Sequence, residues 1–120
     1  SHSHVAVHKA VDNLSTLMSR ADLAICNAGT TMYELCFLGV PCIAVAQTPY
    51  EAQGAEDMQR RGAVVSLGSH DNVQVADIQT AVETLVHDVD RRRSLSGVGT
   101  ALVKNATPAF ADAIVRALIP

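Results

Sequence analysis

Residues 27–34 read Asn-Ala-Gly-Thr-Thr-Met-Tyr-Glu and follow the apolar run Leu23-Ala24-Ile25-Cys26. A glycine where a strand turns into a helix permits a positive φ, or a backbone approach that a Cβ would block. Thr30 and Thr31 add two hydroxyls, and the first N–H groups of a helix have no partner inside it. Gly29, Thr30 and Thr31 therefore make a site for an anion, with a diphosphate as the natural candidate. The stretch is neither a Walker loop nor a G-x-G-x-x-G turn. Glu34 has two readings. Thr31-x-x-Glu34 has the spacing of a capping box, in which the threonine accepts from the glutamate amide and the carboxylate reaches back. Alternatively, a carboxylate one turn into the helix can accept from two adjacent ribose hydroxyls while the threonines hold phosphate.

Other reactive side chains are less suggestive. His2, His4 and His8 alternate along one short run, but no further ligand lies near them in sequence, so no metal site is expected. His70 reads as a loop residue and His87 as a solvated helix residue. Arg91, Arg92 and Arg93 read as a solvated helix face. Cys26, Cys36 and Cys42 show no C-x-x-C spacing; they fit reduced thiols used as small core side chains, and a cytoplasmic location.

The elements that must hold the Gly29 turn alternate between strand and helix. HVAVH (4–8), DLAICN (22–27), CIAVAQ (42–47) and AVVSLG (63–68) read as four strands. The second has the continuous apolar character of a strand buried on both faces of a parallel sheet. Helices are expected over 11–20, over TMYELCFLG ending at Gly39, over EAQGAEDMQRR ending at Gly62, and from Pro108 onward. Residues 76–95 read as one or two helices with an apolar stripe through Ile78, Val82, Leu85 and Val86. The expected fold is an α/β, Rossmann-like parallel sheet with helices on both faces, and ligands in such sheets bind beyond the carboxyl ends of the strands.

The 120 residues suit a single domain, and 48% hydrophobic content supplies a core. With a net charge of −3 and 3% aromatic residues, neither a basic field nor stacking platforms for nucleic acid are present. No apolar run approaches the ~20 residues of a membrane helix, and the N-terminus lacks the pattern of a signal peptide.

The stretch MSRADLAICNAGTTMYELCFLGVPCIAVAQTPYEAQGAEDMQRRGAVVSLG resembles the C-terminal, donor-binding half of GT-B enzymes. It is most similar at ADLAI, AGTTMYE, LGVP and Gln53. The relevant groups are the family-28 glycosyltransferases and the UDP-sugar hydrolases of pseudaminic acid synthesis and spore-coat polysaccharide proteins. The resemblance implies the C-terminal half of a GT-B fold that takes a UDP-sugar, with no cofactor. It implies Gly29, Thr30 and Thr31 for the diphosphate, Glu34 for the ribose, a backbone group near Val11 for the uracil, and Gln53 with Glu51 for the sugar. It also implies that the catalytic base belongs to an N-terminal half, in the same enzyme or on a separate subunit. The 120 residues are then expected to be a fragment, inactive alone and open to self-association. A hydrolase is the preferred reading, ahead of a transferase that moves a hexosamine. A non-catalytic nucleotide- or protein-binding module is the third.

Overall fold

In the computed structural model, which describes residues 22–106, three parallel strands are ordered β1-β2-β3. They are β1 (Ala24–Asn27), β2 (Cys42–Ala46) and β3 (Val65–Ser69). Helices α1 (Thr30–Phe37) and α2 (Pro49–Arg60) connect them, and α3 (Val75–Val86) and α4 (Val89–Lys104) follow. The expected strand at 4–8 and helices at 11–20 and from Pro108 lie outside the described residues, as does Val11.

Both crossover helices stop in the same way. Gly39 and Gly62 adopt φ of 77° and 85°, the left-handed conformation glycine enters without a Cβ penalty. The Gly39 amide donates to the Cys36 carbonyl and the Val40 amide to that of Leu35; Gly62 to Gln59 and Ala63 to Met58 repeat the pattern. These paired bonds are Schellman motifs, and in each the residue after glycine is buried. The starts differ from each other. Thr48 caps α2, its Oγ accepting from the Glu51 amide, and Pro49 occupies the first helical position. That cap begins α2 two residues earlier than the expected 51. At α1, by contrast, the N-cap is Gly29 and no side chain caps the helix. Of the two readings of Glu34, the capping box does not form, because the helix begins at Thr30 and places both Thr31 and Glu34 inside it.

The two faces of the sheet carry separate cores. Cys42, Ala44 and Ala46 of β2 point toward α1 and α2, where they pack with Met32, Leu35, Cys36, Ala55 and Met58. Ile43 points the other way, to Leu85 of α3 and Leu95 of α4. Helices therefore cover both faces, as expected for a Rossmann-like sheet. α4 joins the two cores: Leu95 belongs to one and Val103 to the other. Between them its Ser96 hydroxyl donates to the Gly39 carbonyl (2.7 Å) and its Thr100 hydroxyl to that of Cys36 (3.1 Å). The first bond pairs the Gly39 carbonyl, and the second adds to the bond that the Cys36 carbonyl already accepts from the Gly39 amide.

Two expectations need correction. The strand at 22–27 is not buried on both faces among the described residues: β1 lies at the edge of the described sheet, and Ile25 is half exposed. The arginine run is not wholly a solvated face. Arg92 is half-buried, and its Nη1 donates to the carbonyls of Leu85 (2.6 Å) and Val86 (2.7 Å), closing the end of α3. The expected 76–95 segment is two helices because Asp88 accepts from the Arg91 amide and starts α4 anew.

Candidate functional site at the strand ends

Since all three strands are parallel, the turns after them meet at one end of the sheet: 28–29 after β1, 47–48 after β2 and the 3-10 turn His70–Asn72 after β3. A hollow of about 490 Å³ opens there, lined by Ile25, Cys26, Asn27, Thr31, Val45 and Gln47. A second, of about 410 Å³, is lined by Asp22, Gly39, Pro41 and the first turns of α4, at the opposite end of the strands. Only the first combines strand carboxyl ends with the start of a helix, the arrangement that binds ligands in open α/β sheets.

Gly29 has φ −106°, so its role is not a positive φ. The close approach is real. A Cβ on Gly29 would stand 3.2 Å from Oε2 of Glu51. Thr31 is half-buried in the lining and Thr30 is exposed. Among the described residues neither hydroxyl makes a hydrogen bond. Glu34, one turn further on, lies on the same side of α1 as Thr31. It is half-buried, and its carboxylate likewise has no hydrogen bond or ion pair among the described residues.

Glu51 is differently placed. Its Oε1 accepts from the Gln47 amide (2.9 Å) and its own amide donates to Thr48, so the carboxylate ties together the loop after β2 while Oε2 faces Gly29. Gln53 is exposed on α2 and does not line the hollow. The fold thus brings Gly29, Thr31 and Glu51 together at one end of the sheet, with Glu34 a turn behind and Gln53 at the margin.

Two contributors escaped notice in the sequence. Cys26 lines the hollow, and its side chain joins those of Cys36 and Cys42 in one cluster. Asn27, the last strand residue, presents an exposed amide to the same hollow. Tyr33 sits behind the turn, its hydroxyl 3.3 Å from where a Cβ on Gly54 would be. Burial, with the Tyr50 and Asp57 charges beside it, raises the Tyr33 pKa above the usual tyrosine value. Among the described residues no group of histidines, cysteines or carboxylates is disposed to hold a metal ion, and no helix is long and apolar enough to cross a membrane.

A parallel sheet with helices on both faces defines an α/β domain of Rossmann-like class. Known proteins narrow it. The chain is 29% identical over 97 residues, 81% of its length, to the spore coat polysaccharide biosynthesis protein SpsG of Bacillus subtilis, covering 26% of that protein. It is 29% identical over 120 residues, 96% of its length, to a transferase of Salinibacter ruber, covering 31% of it. That protein is the UDP-N-acetylglucosamine–N-acetylmuramyl-(pentapeptide) pyrophosphoryl-undecaprenol N-acetylglucosamine transferase. An uncharacterized protein of Methanocaldococcus jannaschii is 32% identical over 57 residues, 48% of this chain and 12% of that one. The chain thus spans a third or less of each curated relative. No family model and no solved structure matches. These similarities support kinship with glycosyltransferase-like proteins.

Proposed function

We propose that the chain is the UDP-sugar-binding domain of an enzyme of cell-surface polysaccharide biosynthesis, working in the cytoplasm. The observation that carries the reading is the set of unpartnered polar groups at the end of β1. The Thr30 and Thr31 hydroxyls and the Glu34 carboxylate make no hydrogen bond among the described residues, although Thr31 lines a hollow and Glu34 is half-buried. None of these atoms is sealed from solvent, so the protein leaves them open and a ligand can take the place of water. A nucleoside diphosphate supplies the bonds in order. Its phosphates accept from the threonine hydroxyls and the first amides of α1, and its ribose diol donates to Glu34.

In this reading Gly29, Thr30 and Thr31 receive the diphosphate, Glu34 the ribose, a backbone group near Val11 the uracil, and Gln53 with Glu51 the sugar. The chain provides no catalytic base; that group belongs to an N-terminal half, on the same polypeptide or a separate subunit. The preferred activity of the whole enzyme is hydrolysis of a UDP-amino-sugar; the similarity to the spore coat polysaccharide biosynthesis protein supports a place in polysaccharide biosynthesis. Transfer of a hexosamine from UDP to an acceptor is the second reading, favoured by similarity to the Salinibacter transferase along 96% of the chain.

The test is calorimetric titration of the chain and its Glu34→Ala variant with UDP, alongside thermal unfolding of both. Glu34 caps nothing, so its loss is expected to leave stability within about 0.5 kcal/mol. UDP affinity is expected to fall about tenfold or more, as for a lost charge-assisted hydrogen bond. Equal affinities in the two proteins would remove Glu34 from the ligand and the reading with it.

A further inference from the structure

The chain has two tyrosines, two phenylalanines and no tryptophan. Among the described residues Tyr33 and Phe37 of α1 pack against the core, and Tyr50, the second residue of α2, is the one exposed ring, 86% accessible. A single exposed ring is ordinary on a protein surface; the place of this one is what matters. α1 and α2 touch near their starts. The Tyr33 hydroxyl lies 3.3 Å from where a Cβ on Gly54 would be, and Glu51 Oε2 lies 3.2 Å from where one on Gly29 would be. Thr30 precedes Tyr33 by three residues and Tyr50 precedes Gly54 by four. Each therefore sits one turn nearer its helix start, on the side that makes the contact. Thr30 and Tyr50 stand on either side of the Gly29–Glu51 approach, and both are exposed there.

A nucleotide sugar runs in line from ribose through diphosphate to sugar. The inference rests on the nucleotide reading above, which puts the diphosphate at Gly29, Thr30 and Thr31 and the ribose at Glu34. Tyr33, which meets α2, lies about 100° round the helix from Glu34. A ligand that reaches Glu34 on one side of the α1 start carries its sugar off on the other side, toward the start of α2. We propose that the Tyr50 ring is the platform on which this sugar packs, and that the site selects a hexopyranose presenting a face of C–H groups. Such a face buries apolar area on the ring, whose negative π surface attracts the slightly positive C–H hydrogens. The hydroxyl and acetamido groups around the edge of the sugar stay open to polar partners. Glu51 adjoins Tyr50 for this purpose, and Gln53 follows it by three residues on the same side of α2.

The experiment titrates the 120-residue chain, Tyr50→Ala and Tyr50→Phe calorimetrically with UDP and with UDP-N-acetylglucosamine. Tyr50→Ala should bind UDP as the wild type does and bind UDP-N-acetylglucosamine about fivefold to tenfold more weakly, the scale of one lost aromatic contact. Tyr50→Phe keeps the ring and should match the wild type for both ligands. Saturating the aromatic protons in an NMR experiment should pass signal to the hexose C–H protons in the wild type and not in Tyr50→Ala. Wild-type affinity of Tyr50→Ala for both ligands overturns the proposal and leaves the nucleotide reading standing. Equal weakening toward both ligands also overturns it, since the ring would then serve the nucleotide. So does a loss shared by Tyr50→Phe, which would assign the contact to the hydroxyl. A wild-type chain that does not bind UDP removes the nucleotide reading and this inference together.

Discussion

At the scale of the residue, Glu51 matters most for how the cleft receives an anion. Its carboxylate holds the Gln47 amide with one oxygen and turns the other toward Gly29, so a diphosphate at the α1 start meets a like charge. At a separation of about 6 Å and an effective dielectric near 20, such a repulsion is about 3 kcal/mol before salt screening. Glu51→Gln keeps an oxygen for the Gln47 amide and removes the charge. UDP is then expected to bind about tenfold more tightly, with uridine unchanged; equal UDP affinity would place the bound phosphates out of reach of this side chain. Tyr33 offers a second residue-level check. Its raised pKa arises from burial first, then from neighbouring negative charges, so the folded protein holds the proton longer than the unfolded chain does. Stability from this group is complete below about pH 10, the ordinary tyrosine value, and is lost as pH rises through the higher folded value. Absorbance titration should show one of the two tyrosines ionising late, and Tyr33→Phe should remove that phase. At this scale the sequence was partly legible. The Gly-Thr-Thr turn could be read because its neighbours are local. The cysteine cluster could not, because its contacts follow from strand register, and a one-dimensional spacing carries no trace of register.

At the scale of the element, the helix stops were the most legible feature and the starts the least. Gly39 and Gly62 each end a helix where expected, because a left-handed position selects glycine almost by itself. Helix starts allow several solutions. The T-x-x-E pattern occurs three times, at Thr31–Glu34, Thr48–Glu51 and Thr80–Glu83, and only the second becomes a cap. There Pro49 fixes the first helical φ, while at the first copy Gly29 has already taken the capping position. The glycine stops permit a paired prediction. At Gly62 an added Cβ would meet only Val98 Cγ1 at 4.0 Å, so Gly62→Ala should cost about 1–2 kcal/mol, the penalty of the left-handed backbone alone. At Gly39 the same Cβ would stand 3.2 Å from Ser96 Oγ and 3.4 Å from Thr100 Oγ1. Those two hydroxyls close the end of α1, so Gly39→Ala should cost more. Urea denaturation of the two variants measures the difference, and equal costs would mean that α4 gives way freely at this contact.

At the scale of the whole molecule, the sheet with helices on both faces was legible from alternating apolar runs and glycine punctuation. The path of α4 was not. Its apolar residues do not mark which of two cores each one enters; that depends on where the helix crosses the strand ends. Leu95 and Val103 sit in opposite cores, so the described domain is expected to unfold in one step although the sheet divides its interior. Circular dichroism and the reactivity of buried Cys36 and Cys42 should report the same denaturant midpoint. Thiols that become reactive well before helicity is lost would show the α1–α2 side opening separately.

The last pairing between β2 and β3 sets how the chain leaves the sheet after β3. Ala44 faces Ser66, but Ala46 faces Ser69, so β3 uses three residues where β2 uses two, with Gly68 at φ 89° inside the bulge. The extra residue inverts the alternation beyond it, and Ser69 arrives where its hydroxyl accepts from the Asp71 amide (3.4 Å). The turn after β3, which lies outside the lining of the hollow, is therefore set by chain length. Removing one residue there would exchange the inward and outward sets of the His70–Asn72 loop without altering a single side-chain identity.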